Sequence, residues 1–174
     1  MKINRKWAMP NKNTFEIDPI FKFIRNYLGS NIISIDPFAN KNKLATITND
    51  IDPDIKTDYS LDALEFLKQF DNNSVDLVLF DPPYSPRQVS ECYKKLGLSV
   101  NMETTQASFW SNMKNEITRI TKADSIVLSF GWNSQGIGKK RGFEICEILL
   151  VAHGGNHNDT ICVAEKKATT LFDI

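Results

Sequence analysis

The chain is poor in the residues that announce disulfide, metal or membrane chemistry. Of its 174 residues only three are cysteines and two are histidines. Cys92, Cys146 and Cys162 are odd in number and lack CxxC spacing, and two of them fall inside apolar runs. They read as small buried hydrophobes of a reducing compartment rather than as a disulfide or metal set. Eight Gly and seven Pro are too few for a collagenous or low-complexity chain. A surplus of charge is missing as well, since 21 basic side chains meet 21 acidic ones. That balance excludes a strongly electrostatic nucleic-acid binder, because such binding relies on Lys and Arg displacing counterions; any basic surface must be local. The opening residues MKINRKWAMPNKN hold no apolar segment of the about 7 to 15 residues that a signal peptide needs, and no run approaches the roughly 20 of a membrane span. The expectation is a soluble cytoplasmic protein without membrane partners. With 41% hydrophobic residues and no repeat, linker or compositional break, it reads as a single domain over residues 1–174.

What is present is a succession of short apolar runs rich in β-branched residues: 32–35, 44–48, 75–80, 125–130, 145–152 and 160–164. Their continuous apolar character, without strict alternation, predicts strands covered on both faces. Helical patterns lie between several of them. Asp18-Pro19 reads as an N-cap followed by proline at the first helical position, opening a helix that ends at Gly29. Leu61 to Phe70 and Gln106 to Thr121 show apolar residues at helical spacing. This alternation predicts an α/β protein with a mainly parallel sheet. The last two strands, joined only by HGGNHND, must form an antiparallel hairpin, because a parallel crossover needs about a dozen residues or more. The same limit applies between the strand ending at Asp36 and the one beginning near Leu44. Either the crossover helix there is missing or those strands are not parallel neighbours.

The most informative segment is Val75-Asp-Leu-Val-Leu-Phe-Asp81-Pro82-Pro83-Tyr84, a buried strand that stops at an acid, two prolines and an aromatic. In open α/β sheets ligands bind beyond the carboxyl ends of strands, where Asp81 to Tyr84 would sit. The prolines hold a stiff backbone outside the ladder. Asp81 and the Pro82 carbonyl are acceptors and Tyr84 is a flat stacking surface, a set that suits a planar group bearing an amine.

LVLFDPPY resembles motif IV of the S-adenosylmethionine-dependent amino-methyltransferases of the DPPY type, which methylate exocyclic nitrogens of adenine or cytosine. Other segments follow in that family's order. Thr14-Phe15 and the helix after it are similar to a segment that touches the cofactor. Ile35-Asp36-Pro37-Phe38-Ala39-Asn40 looks like the DPF-x-G motif I, with Asn40 and Asn42 where the family has glycines and without its following helix. Asp50-Ile51 matches the strand end whose acid binds the cofactor ribose, and Asp62 the acid that contacts the cofactor adenine. The resemblance covers most of the chain, and DPPY is its one highly specific element. It implies a Rossmann-like class I methyltransferase sheet with a C-terminal antiparallel hairpin, S-adenosyl-L-methionine as cofactor, and no metal. It implies catalytic roles for Asp81, Pro82, Pro83 and Tyr84, and cofactor contacts by Phe15, Asp36, Pro37, Phe38, Ala39, Asp50, Ile51 and Asp62.

The implied activity is methylation of adenine N6 in DNA, with the base flipped out of a duplex or supplied single-stranded. An RNA adenine methyltransferase, or a non-catalytic nucleic-acid-binding subunit, is the alternative; cytosine-N4 enzymes more often carry Ser where Asp81 stands. For nucleic-acid contact the sequence offers Arg87, directly after DPPY, and the compact cluster Lys139-Lys140-Arg141. His153 and His157 flank glycines in the hairpin turn and read as lining the target pocket, while Phe109 and Trp110 read as core. No segment has the length of a separate target-recognition domain, so a recognition subunit or a homodimer is the expected partner.

Overall fold

The computed structural model describes residues 1–100 and 106–169. Its strands are β1 (Lys2–Trp7), β2 (Ser34–Asp36), β3 (Ile47–Thr48), β4 (Val75–Phe80), β5 (Thr121–Gly131), β6 (Phe143–Ala152) and β7 (Thr160–Lys167). They form one sheet in the order β1-β6-β7-β5-β4-β2-β3. Only β7 runs against its neighbours, pairing antiparallel with β5 and with β6, so the expected C-terminal hairpin is present in a mainly parallel sheet. The helices are α1 (Asp18–Arg25), α2 (Ala63–Leu67), α3 (Pro86–Lys95) and α4 (Ala107–Ile120).

β4 explains why its run is apolar without alternation. Leu77 and Leu79 join Ile20, Phe23 and Ile24 of α1 on one face, while Val78 and Phe80 join Phe66 of α2 and Met113 and Ile117 of α4 on the other. Ile20 and Ile24 are fully buried, each contributing about 2 to 3 kcal/mol of hydrophobic stabilisation. The helix begins one residue earlier than its sequence signal suggests. Ile17 is the N-cap, without a side-chain bond, and Asp18 is the first helical residue, where its charge faces the positive end of the helix dipole.

The short junction is resolved in favour of a missing helix. β2 and β3 are parallel neighbours, with Ile35 opposite Ile47 and Asp36 opposite Thr48, yet residues 37–46 hold no helix. Side chains close the connection instead. The Ser34 amide donates to the Thr46 hydroxyl (2.9 Å), and the Thr46 amide donates back to the Ser34 hydroxyl (2.9 Å). Asn40 takes the left-handed conformation, φ 49°, that a glycine would otherwise supply. The Asn42 amide donates to Asp36 (3.0 Å) and to the Ala39 carbonyl (2.6 Å).

Asn49, completely buried, joins three loops. Its side-chain amide donates to the Pro37 and Leu61 carbonyls (3.0 Å each), and its side-chain oxygen accepts from the Leu61 amide (3.0 Å). β1 and α3 are additions to the elements that the sequence analysis predicts.

Asn49→Ala leaves the buried Pro37 carbonyl and the half-buried Leu61 amide and carbonyl without this partner and is expected to cost about 3 kcal/mol. Differential scanning calorimetry is expected to show a Tm lowered by roughly 6 to 12 °C for a chain of this length.

Candidate active site

All the parallel strands end at one edge of the sheet, and a cleft of about 650 Å³ opens along it. The segment 10–17 after β1 forms one wall. The ends of β2, β3, β4 and β5 and the turn between β6 and β7 form the floor and far side. Phe15, Pro37, Phe38, Ala39, Asp50, Ile51, Asp62, Asp81, Pro82, Pro83 and Tyr84 all line it. The structure therefore brings eleven of the twelve residues assigned to catalysis and cofactor into one space.

The twelfth, Asp36, does not line the cleft. Its side chain has no exposure and lies beneath the floor, accepting from the Phe38 amide (3.0 Å) and from Asn42 (3.0 Å). Burial lifts its carboxyl to about 7, against those hydrogen bonds and with the nearby Asp81 and Asp50 adding to the rise. It shapes the loop that carries Phe38 and Ala39 and presents nothing to the cleft.

At the β2–β3 end, Asp50 accepts from the Asn40 amide and from the Asp52 amide (2.9 Å each), which leaves lone pairs on both oxygens. Asp62 caps α2 by accepting from the Leu64 amide (2.9 Å) and receives the Tyr93 hydroxyl (2.5 Å). Tyr93 belongs to α3, so that helix is fastened across the cleft to the acid that opens α2.

At the β4 end, the peptide between Pro83 and Tyr84 is held from both sides. The Trp110 indole N–H donates to the Pro83 carbonyl (2.9 Å), and the Tyr84 amide donates to Gln88 Oε1 (2.6 Å). Among the described residues no donor meets the Pro82 carbonyl. The Tyr84 hydroxyl donates to Asp81 Oδ1 (2.5 Å). Burial pushes the Asp81 carboxyl up to about 6, while the Tyr84 and Thr14 hydroxyls hold it down. Burial and the adjacent carboxylate push the Tyr84 phenol above its ordinary range, so it remains a donor. Its ring meets Trp132 edge-on, centroids 5.5 Å apart.

Sequence reasoning gave Asn49, Tyr93 and Trp132 no role of their own and read Trp110 only as core. Ser85-Pro86-x-Gln88 was a legible helix start, since the Ser85 hydroxyl accepts from the Gln88 amide (3.3 Å) with Pro86 in the first turn. Phe109 packs against the core, as expected, and also lines the cleft. His153 and His157 line it as well. The His153 ring is occupied, with Nδ1 and Nε2 each 2.9 Å from the Ala8 carbonyl and the Thr160 hydroxyl respectively.

The basic residues are placed elsewhere. Arg87 points from α3 into an ion pair with Glu91 (2.7 Å). Lys139, Lys140 and Arg141 form a 3-10 turn just before β6, at the amino-terminal edge of the sheet. Arg141 is engaged there with Asn115 and Ser111 of α4 (2.9 Å each). None of the four lines the cleft; Lys12 and Lys41 do. Among the described residues no three His, Cys, Asp or Glu side chains group as metal ligands, and no helix is long and apolar enough to cross a membrane.

No protein-family profile and no curated protein matches the chain. Solved structures do match in shape. TrmN from Thermus thermophilus superposes with a TM-score of 0.58 at 13% identity, over 87% of this chain and 49% of that one. SMU.776, described as a methyltransferase and complexed with SAH, gives 0.58 at 10% identity over 85% and 48%. HI0767 from Haemophilus influenzae, described as a methylase, gives 0.52 at 11% over 87% and 96%. The fold is the Rossmann-like methyltransferase fold. Identities this low carry the fold and none of the chemistry, and the chain spans about half the length of the first two structures.

Tyr84→Phe removes a donor that favours the ionised carboxylate. The Asp81 pKa is expected to rise above its value of about 6, read by carbon-13 NMR titration of the labelled carboxyl.

Proposed function

We propose that the protein transfers a methyl group from S-adenosylmethionine to an exocyclic amine, N6 of adenine in DNA. One observation carries this reading: Asp81 and the Pro82 carbonyl, which has no donor among the described residues, stand on a clamped backbone beside Tyr84, in the same cleft as Asp50 and Asp62. The fold supports the donor, since one protein of this fold was solved with SAH.

The cleft suits the cofactor in size and in donor set. Asp50 retains lone pairs for a ribose diol, the Ala39–Asn40 backbone and Phe38 border the same end, and Asp62 stands beyond. When bound, S-adenosylmethionine supplies a methyl carbon activated by its sulfonium. The residues of this chain then act on the amine. Asp81 and the Pro82 carbonyl accept its two N–H bonds, which disfavours conjugation of the nitrogen with the ring and aims its lone pair at the methyl carbon. Asp81 would then take up the proton that the amine sheds on transfer and pass it to solvent. Tyr84 stacks on the base, which enters flipped or single-stranded. Choice of sequence then falls to the cleft loops, to a second copy or to a recognition subunit.

Asp81 must be ionised to accept. With its pKa raised to about 6, kcat/KM is expected to rise about tenfold per pH unit below that value and to level off above it, measured as tritium transfer from labelled cofactor. Asp81→Ala is expected to abolish transfer to adenine-containing DNA while calorimetric binding of S-adenosylmethionine persists. Unchanged turnover would sink the assignment. Transfer to RNA alone would move the substrate, and absence of cofactor binding at millimolar concentration would make the chain a non-catalytic subunit.

A further inference from the structure

The basic and aromatic groups nearest the cleft come from a segment that the sequence motifs leave unassigned. Residues 1–13 contain four cations, Lys2, Arg5, Lys6 and Lys12, and no carboxylate. β1 pairs parallel with β6, placing Trp7 opposite Ala152, so the strand ends at the same edge as the cleft and its continuation, from Pro10 onward, becomes the cleft wall. Alternation along the strand puts Arg5 and Trp7 on one face. Trp7 is 66% exposed, high for the largest side chain in the set. Its indole Nε1 lies 3.5 Å from where a Cβ on Gly154 would stand, so the ring rests against the turn whose Asn156, His157 and Asn158 line the cleft. Among the described residues Arg5 has no ion-pair partner, unlike Lys2, which meets Glu147 (3.2 Å).

The acids of the adjoining segments are engaged locally. Asp159 accepts from the His153 amide (3.2 Å) and Glu16 from Asn11 and Asn13 (3.1 and 2.8 Å). Glu147 lies on the opposite face of the sheet, bonded to Asn4 and Tyr27 (2.9 and 3.0 Å). The result is a rim with a cation and an exposed indole on one face that continues into a cleft holding a pair of aromatics, Tyr84 and Trp132.

We infer that this rim is a single-stranded nucleic-acid site: a nucleotide flanking the target base stacks on Trp7 while Arg5, on the same face of β1, meets its backbone phosphate. The inference rests on the amine-transfer reading above and narrows its substrate to an unpaired strand. Stacking on an exposed aromatic beside cations is how sequence-tolerant single-strand sites are built. A duplex keeps its bases inside the stack and offers Trp7 no ring face.

Fluorescence anisotropy with labelled adenine-containing 12-mers of single-stranded DNA, single-stranded RNA and duplex DNA, in saturating S-adenosylhomocysteine, tests it. Wild type is expected to prefer the single strands, and comparing DNA with RNA identifies the strand. Trp7→Ala is expected to weaken single-strand binding about tenfold, the size of one lost base stack, with Trp7→Phe within about threefold of wild type. Arg5→Ala is expected to lower the slope of log Kd against log salt by about 0.7. Calorimetric affinity for S-adenosylhomocysteine is unchanged in all three variants. If wild type binds single strands and Trp7→Ala binds equally well, the rim proposal falls and the Asp81 chemistry stands. If wild type binds no nucleic acid and methylates a protein or small-molecule amine, both fall. A dimer by light scattering that Trp7→Ala dissolves makes the rim a contact between copies and overturns it.

Discussion

The carboxyl edge of this sheet depends on the Asn49 side-chain amide. Parallel strands deliver their ends to one edge, but each emerging loop must still be fixed relative to its neighbours, and here the usual crossover helix between β2 and β3 is missing. A single buried amide does that work by bonding to the loops after β2 and before α2 from the end of β3. Because Asn49 is inaccessible to water, no solvent molecule can take over those bonds, and each is correspondingly directional. The buried Asp36 and the Asn42 amide continue the same arrangement one layer down.

A similar economy governs the end of β4. Two prolines remove two backbone donors, which leaves the peptide between Pro83 and Tyr84 as the one place where this turn can be gripped from both sides. Trp110 from α4 and Gln88 from α3 grip it. The Pro82 carbonyl, one peptide earlier, is left to face the cleft. Rigidity and availability are thus adjacent in the chain, and the first makes the second usable, since an acceptor on a mobile turn could not hold an amine in line.

How legible all this was depends on how local the cause is. The β4 run, the DPPY turn, the hairpin and the missing crossover follow from apolar patterning, from proline, and from the residues needed to cross a sheet, so each was readable. β1 was not, because its sequence KINRKW has no apolar face to bury and its residues stay exposed except Asn4; only pairing with β6 makes it a strand. Lys139 to Arg141 looked like a phosphate site because compact charge is visible in one dimension, whereas the edge of the sheet on which it lies is set by the direction of β6. The cations of residues 1–13 are spread out in sequence and gathered by topology. Asn49 and Trp110 act through partners 12 and 27 positions away, separations at which no local signal exists.

β1 also bears on the order in which the molecule is built. Its first residue pairs with Glu147 and its last with Ala152, so the earliest segment of the chain has no neighbour until almost the whole domain has been made. Closing so long a loop is entropically costly and comes late. Strands β2, β4 and β5 can assemble while residues 1–13 are still untethered, and the cleft wall that begins at Pro10 is completed only when the chain's beginning returns to dock against its end.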